Sequence, residues 1–139
     1  AAAFLADALA ERLDFLSVGT NDLAQYVMAA DRGNDAVAEY HDPLQPAVLR
    51  ALDRTTAAVD ETDAWIGMCG EMAGDPALTE LLVGLGFDEL SMSAVTVPDV
   101  KARVREVDVD AARSLAADAL TRETRAEVLD VLGLDDFPA

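Results

Sequence analysis

A chain of 139 residues with 52% apolar content is long enough to bury one core and too short for several domains. Its formal charge of −17, from 27 acidic against 10 basic residues, disfavours nucleic acid and anionic membranes as partners. No apolar run approaches the roughly 20 residues of a membrane span, and Cys69, the only cysteine, excludes an intramolecular disulfide.

A reducing, cytoplasmic setting is therefore expected. Acidic residues run along the whole chain, which reads as a solvated surface and not as a binding tail. Abundant Asp with a single Lys, Lys101, points to adaptation to high salt, because screening over about 3 Å at molar ionic strength relieves self-repulsion.

In chain order, residues 1–13 carry an alanine-rich apolar pattern without the basic leader of a signal peptide, and read as a helix entered midway. Three β-like runs follow at residues 14–18 (DFLSV), 64–69 (AWIGMC) and 88–93 (DELSMS), each leading through small or polar residues into a helical pattern. Helix starts are marked by Pro46, Asp75-Pro76 and Pro98, since proline tolerates the first turn, where its missing N–H is not needed. After Pro46, Val48, Leu49, Leu52 and Val59 fall at helical spacing; after Pro98, Val100 and Val104 do the same. Residues 108–120 and 121–132 read as two further helices, with Thr121 as N-cap of the second and Gly133 as its stop. Strand, loop and helix alternate as in a parallel α/β sheet. Between Leu23 and Pro46 an extra helix or loop is expected, and insertions of that kind build sites. Three strands cannot close a (β/α)8 barrel by themselves.

The stretch GTNDLAQYVMAADRGND (residues 19–35) begins where the first strand ends, the side on which parallel sheets bind ligands. Helix-start N–H groups and the Asn21 amide suit an anion, Asp22 offers a hard oxygen for Mg²⁺, and Arg32 is a planar clamp for carboxylate or phosphate. The same residues also read as a helix cap (Asn21, Asp22) and a salt bridge within the turn DRGND (Arg32). GMCGEMAGD (67–75) brings Cys69 between small residues to the end of the next strand, beside Asn21 and Asp22. A lone cysteine is often a small buried apolar residue, but flanking glycines leave room for a ligand, and a thiol can deliver a proton to a carbanion-like carbon.

These motifs, with DPLQPAVLR and LGFDELSMSA, occur in an order and at spacings that resemble the C-terminal part of the enzyme I family, the phosphoenolpyruvate-protein phosphotransferases. The likeness covers essentially the whole chain. Pyruvate phosphate dikinase and phosphoenolpyruvate synthase share the barrel and the GTND-like and CG motifs, but Asp31-Arg32-Gly33-Asn34 and the complete GMCGEMAGDP resemble enzyme I more closely. The resemblance implies that residues 1–139 are the last three strand-helix units of a phosphoenolpyruvate-binding (β/α)8 TIM barrel. It further implies that Asn21 and the loop backbone hold phosphoenolpyruvate, Asp22 ligates Mg²⁺, Arg32 grips the phosphate, and Cys69 protonates C3 of the enolate to give pyruvate. In the family the phosphoryl group passes to a histidine on a separate N-terminal domain and then to a histidine-containing phosphocarrier protein, and the barrel dimerises. That histidine, a glutamate ligand of Mg²⁺ and further substrate arginines are expected upstream. His41, in the inserted loop, is expected to be a loop or packing residue; Glu71 orients the Cys69 loop or enters a helix, and Ser91 and Ser93 contact ligand or satisfy backbone groups. Met28, Met68, Met72, Met92 and Trp65 are expected to pack the barrel. A non-catalytic module for dimerisation or phosphocarrier binding is the alternative from another functional class.

Overall fold

The computed structural model describes residues 1–134. A 3-10 turn, Ala2–Leu5, runs into helix α1 (Ala6–Ala10), strand β1 (Phe15–Gly19) and helix α2 (Thr20–Met28). Residues 29–45 form the inserted segment, with one 3-10 turn at Ala38–Tyr40; then come α3 (Pro46–Asp60) and β2 (Trp65–Cys69). Two 3-10 turns, Met72–Gly74 and Pro76–Leu78, lead to α4 (Thr79–Gly84), β3 (Glu89–Ser91), α5 (Val97–Val104), α6 (Val109–Leu120) and α7 (Arg125–Leu132).

The three strands are parallel and lie in sequence order β1-β2-β3. Leu16 and Val18 of β1, Ile66 and Met68 of β2 and Leu90 of β3 pack into the helical layer. Alternate residues point to the other face, which no element among the described residues covers: Phe15 and Trp65 stack there at 4.7 Å, and Ser17, Cys69 and Glu89 are exposed. Register sets two rows across that face, Ser17–Gly67–Glu89 and Gly19–Cys69–Ser91. Gly67 leaves the first row open: a Cβ there would lie 2.7 Å from the mobile Glu89 Oε2 and 3.3 Å from the Trp65 ring.

The core is built by the helices as their periodicity dictates. Pro46 opens α3, and Val48, Leu49, Leu52 and Val59 are at most 1% exposed, each worth about 1.5–3 kcal/mol on burial. Val100 of α5 is buried as expected, but Val104 is 45% exposed, because α5 ends there and only its first turns meet the core. Met68 and Met72 are buried, whereas Trp65 sits on the uncovered face.

The start of the last helix differs from the sequence reading. Thr121 ends α6, donating its hydroxyl to the Asp118 carbonyl at 2.7 Å, and Thr124 is the true N-cap. The reason is the capping box: Thr124 accepts from the Glu127 N–H while Glu127 accepts from the N–H groups of Thr124 and Glu123. Gly133 closes α7 in a left-handed conformation, as its position predicts.

Candidate functional site at the strand ends

Gly19 ends β1 and is itself the N-cap of α2, so Thr20, Asn21 and Asp22 form the first helical turn with no intervening loop. No side chain caps α2. Asn21 and Asp22 are therefore not cap residues, and their side chains are left to the surface above the strand ends. Asp22 is exposed and meets Arg32, whose Nη1 lies 3.8 Å from the Asp22 carboxylate. The guanidinium thus folds back across the start of α2, one of the two placements the sequence left open, instead of pairing inside its own turn. That turn is held by Asp31, which accepts from the Gly33 N–H at 2.8 Å, and by Asn34, which accepts from the Ala36 N–H at 3.1 Å. The left-handed Ala29 (φ 51°) redirects the chain out of α2 into it.

Cys69 lies at the end of β2, paired in register with Gly19, and its side chain is exposed on the uncovered face. Thr20, fully buried, donates its hydroxyl to the Cys69 carbonyl at 3.4 Å. The cysteine and the GTND turn are thereby joined directly. Beyond them, a cleft of about 540 Å³ is lined by Asn21, Gly70, Glu71, Ser91 and Ser93. Asp22 faces another cavity, about 320 Å³, toward the free edge of β1 with Ser17 and Gly19. Asn21 and Asp22 therefore serve opposite sides of the same turn.

Glu71 borders the cleft, and its carbonyl accepts from the Gly74 N–H at 3.0 Å. Ser91 donates to Glu89 at 2.9 Å, and the Ser93 carbonyl accepts the Thr96 hydroxyl. Among the described residues no group of three or more His, Cys, Asp or Glu side chains gathers as a metal cage. No helix among them is long and apolar enough to cross a membrane.

Residues 1–109 match the model of the family described as PEP-utilising enzyme, PEP-binding domain, where PEP is phosphoenolpyruvate. The chain belongs to this family. Curated relatives of this PEP-binding domain include the phosphoenolpyruvate-protein phosphotransferase of Haloferax volcanii, 65% identical over 135 residues, 97% of this chain and 24% of the relative. The protein of the same name from Haemophilus influenzae is 46% identical over 127 residues, 91% of this chain and 22% of the relative. Multiphosphoryl transfer protein 2 of Escherichia coli is 45% identical over 129 residues, 93% of this chain and 16% of that protein. The domain spans about a quarter or less of the length of these relatives.

Three residues of the site region were not legible as such. Thr20, read only as part of the motif, is the buried joint to β2. Glu89 lies on the uncovered face, against Gly67 and bonded to Ser91; its alternation with Leu90 in the third β-like run is the available signal. His41, expected to be a loop or packing residue, has its Nε2 2.8 Å from the Asn21 carbonyl oxygen. Nothing local in the sequence signals that bond, which spans twenty residues.

Proposed function

We propose that the chain forms the last three strand-helix units of a (β/α)8 barrel in a phosphoenolpyruvate-protein phosphotransferase, and that its strand ends hold phosphoenolpyruvate and protonate the departing enolate. The observation that carries this reading is that Gly19, which opens the helical turn of Asn21 and Asp22, pairs in register with Cys69 at the C-terminal ends of two adjacent parallel strands, with Arg32 beside Asp22. Three further features support it. The strands follow one another in sequence order, the helices keep to one face, and the other face carries layered side chains in rows, as the interior of such a barrel does. On this reading residues 1–139 are part of a larger domain whose upstream strands pair with β1.

The first-turn N–H groups of α2 and the Asn21 amide receive the anion, and Arg32 neutralises the phosphate. An exposed ion pair at 3.8 Å is worth little by itself, so Asp22 and Arg32 exchange one another for ligand at small cost. Asp22 fits Mg²⁺ by its donor chemistry: it is an exposed, uncapped carboxylate beside the substrate turn, facing the free edge of β1 from which a second carboxylate would come. When bound, that ion would neutralise charge on the phosphate oxygens. As the phosphoryl group leaves for a protein histidine, the P–O bond breaks and its electron pair stays on the enolate oxygen. The enolate carbonyl then forms while C3 takes the proton of Cys69 Sγ, and the thiolate recovers a proton from water. The exposure of Cys69 on the uncovered face, in the row of Gly19 and Ser91, supports this role. The histidine passes its phosphoryl group to a histidine-containing phosphocarrier protein, and the parent acts as a cytoplasmic homodimer.

The test is pyruvate release by the full-length protein supplied with phosphoenolpyruvate and a phosphocarrier protein. Release that depends on Mg²⁺ and stops with a chelator is expected. Absence of release under these conditions contradicts the reading.

A further inference from the structure

We propose that His41 is a positioning residue for the substrate turn, an assignment that rests on the function proposed above. Its Nε2 lies 2.8 Å from the Asn21 carbonyl oxygen. A carbonyl only accepts, so the ring nitrogen facing it carries the proton and donates. The carbonyl has two lone pairs, and the histidine occupies one from outside the helix while the other remains for the helical ladder. Asn21 is thereby gripped at its backbone by a residue twenty positions away, and its side chain is left to line the cleft.

The grip has a firm base. The His41 N–H donates to the Ala38 carbonyl at 3.0 Å, and the next residue, Asp42, is 1% exposed. Asp42 accepts the Leu44 N–H at 2.7 Å through one oxygen and pairs through the other with Arg125 at the start of α7. A buried carboxylate held on both oxygens fixes the backbone that carries the imidazole. Helix α7 lies beyond the residues that match the family model, so the site is tied to a part of the chain outside the matched core.

The segment between these anchors carries Arg32. Near its start it is held by weaker contacts: the Arg32 N–H to Gln25 Oε1 at 3.3 Å and the exposed pair with Asp22. His41 closes the segment at its other end, onto the turn that holds Asn21. One imidazole therefore sets the spacing between the amide and the guanidinium that receive the substrate. Displacement of either raises the substrate concentration needed without removing the group that does the chemistry.

The experiment is steady-state phosphoryl transfer by the full-length protein as wild type, His41→Ala and His41→Gln, with KM measured separately for phosphoenolpyruvate and for the phosphocarrier protein, beside a thermal melt of each. Gln retains an N–H donor near the position of Nε2. His41→Ala is expected to raise KM for phosphoenolpyruvate about tenfold with kcat within about threefold, while His41→Gln stays within about threefold of wild type. KM for the phosphocarrier protein stays unchanged in both. An unchanged KM for phosphoenolpyruvate in His41→Ala overturns the assignment, and so does a folded His41→Gln whose KM for phosphoenolpyruvate rises about tenfold. If His41→Ala does not fold, the Gln variant decides by the same threefold limit. A wild-type protein that forms no pyruvate from phosphoenolpyruvate overturns the functional reading and the assignment with it, whereas active wild type with insensitive variants overturns the assignment alone.

Discussion

The Thr20 hydroxyl donates to the Cys69 carbonyl at 3.4 Å, so the first residue of α2 is joined to the last residue of the neighbouring strand. Gly70 follows at once with φ of +124°, and a Cβ there would lie 2.7 Å from Thr20 Oγ1. Both the backbone conformation and the space require glycine. Gly70→Ala should cost about 1–3 kcal/mol of stability and, on the proposed function, lower turnover of phosphoenolpyruvate by the full-length protein, since the joint ties the turn of Asn21 and Asp22 to the strand end of Cys69. Denaturant unfolding that superimposes on wild type would show that the joint is not as tight as described.

Away from the site, Gly84 marks the closest approach of two helices. A Cβ at Gly84 would come within 2.0 Å of the Ala112 carbonyl oxygen, so α4 and α6 cannot pack as they do around any larger residue. Gly84→Ala should destabilise the domain by about 1–3 kcal/mol through overpacking, with the melting temperature falling accordingly. Substitution without thermal cost would contradict the packing of α6 onto α4.

Much of this was legible in the sequence, and where it was not the cause is physical. The three strands and the helices after Pro46 and Pro98 follow from local periodicity and proline punctuation, which act within a few residues. The strand-end position of the GTND and GMCG motifs follows from the same patterning, and register then brings Gly19 to Cys69. Thr121 reads as a cap on residue type alone, whereas Thr124 with Glu127 three residues on is the stronger signal. The links His41 to Asn21 and Asp42 to Arg125 span 20 and 83 residues, and depend on how the inserted segment folds over the core. No local pattern encodes such a meeting.

Asp22 is the one carboxylate of the GTND turn, and its neighbour across the turn is Arg32. Asp22→Ala in the full-length protein should shift the Mg²⁺ dependence of phosphoenolpyruvate turnover to concentrations at least about tenfold higher, because on the proposed function one of the ion's few protein oxygens is lost. An unchanged Mg²⁺ titration would remove Asp22 from the metal's coordination.

The charge of −17 predicts a response to salt and to acid. Stability should rise from dilute buffer to molar KCl as repulsion is screened over about 3 Å. On the acid side, the Glu127 carboxyl is held below its ordinary pKa, first by the Glu123 backbone N–H and, against the opposing desolvation, by Thr124 and Arg122. A lowered folded-state pKa stabilises the fold above the ordinary glutamate value, and that contribution disappears as pH falls through the lowered value. The stability gap between wild type and Glu127→Gln should therefore be constant near neutrality and shrink in acid. Melts that do not change with KCl would contradict the first expectation, and a gap that widens in acid the second.

Cys69 carries the central claim, since it alone among the proposed site residues is assigned a bond-making step. The direct measurement is a single turnover of the full-length protein with phosphoenolpyruvate and Mg²⁺, following phosphorylation of the protein and appearance of pyruvate separately, for wild type and Cys69→Ala. Loss of a positioned acid typically costs about 10²–10⁴-fold in the proton-transfer step. The account predicts that Cys69→Ala still binds phosphoenolpyruvate with nearly unchanged affinity but releases pyruvate at least about a hundredfold more slowly. Pyruvate formed by Cys69→Ala at the wild-type rate would contradict it.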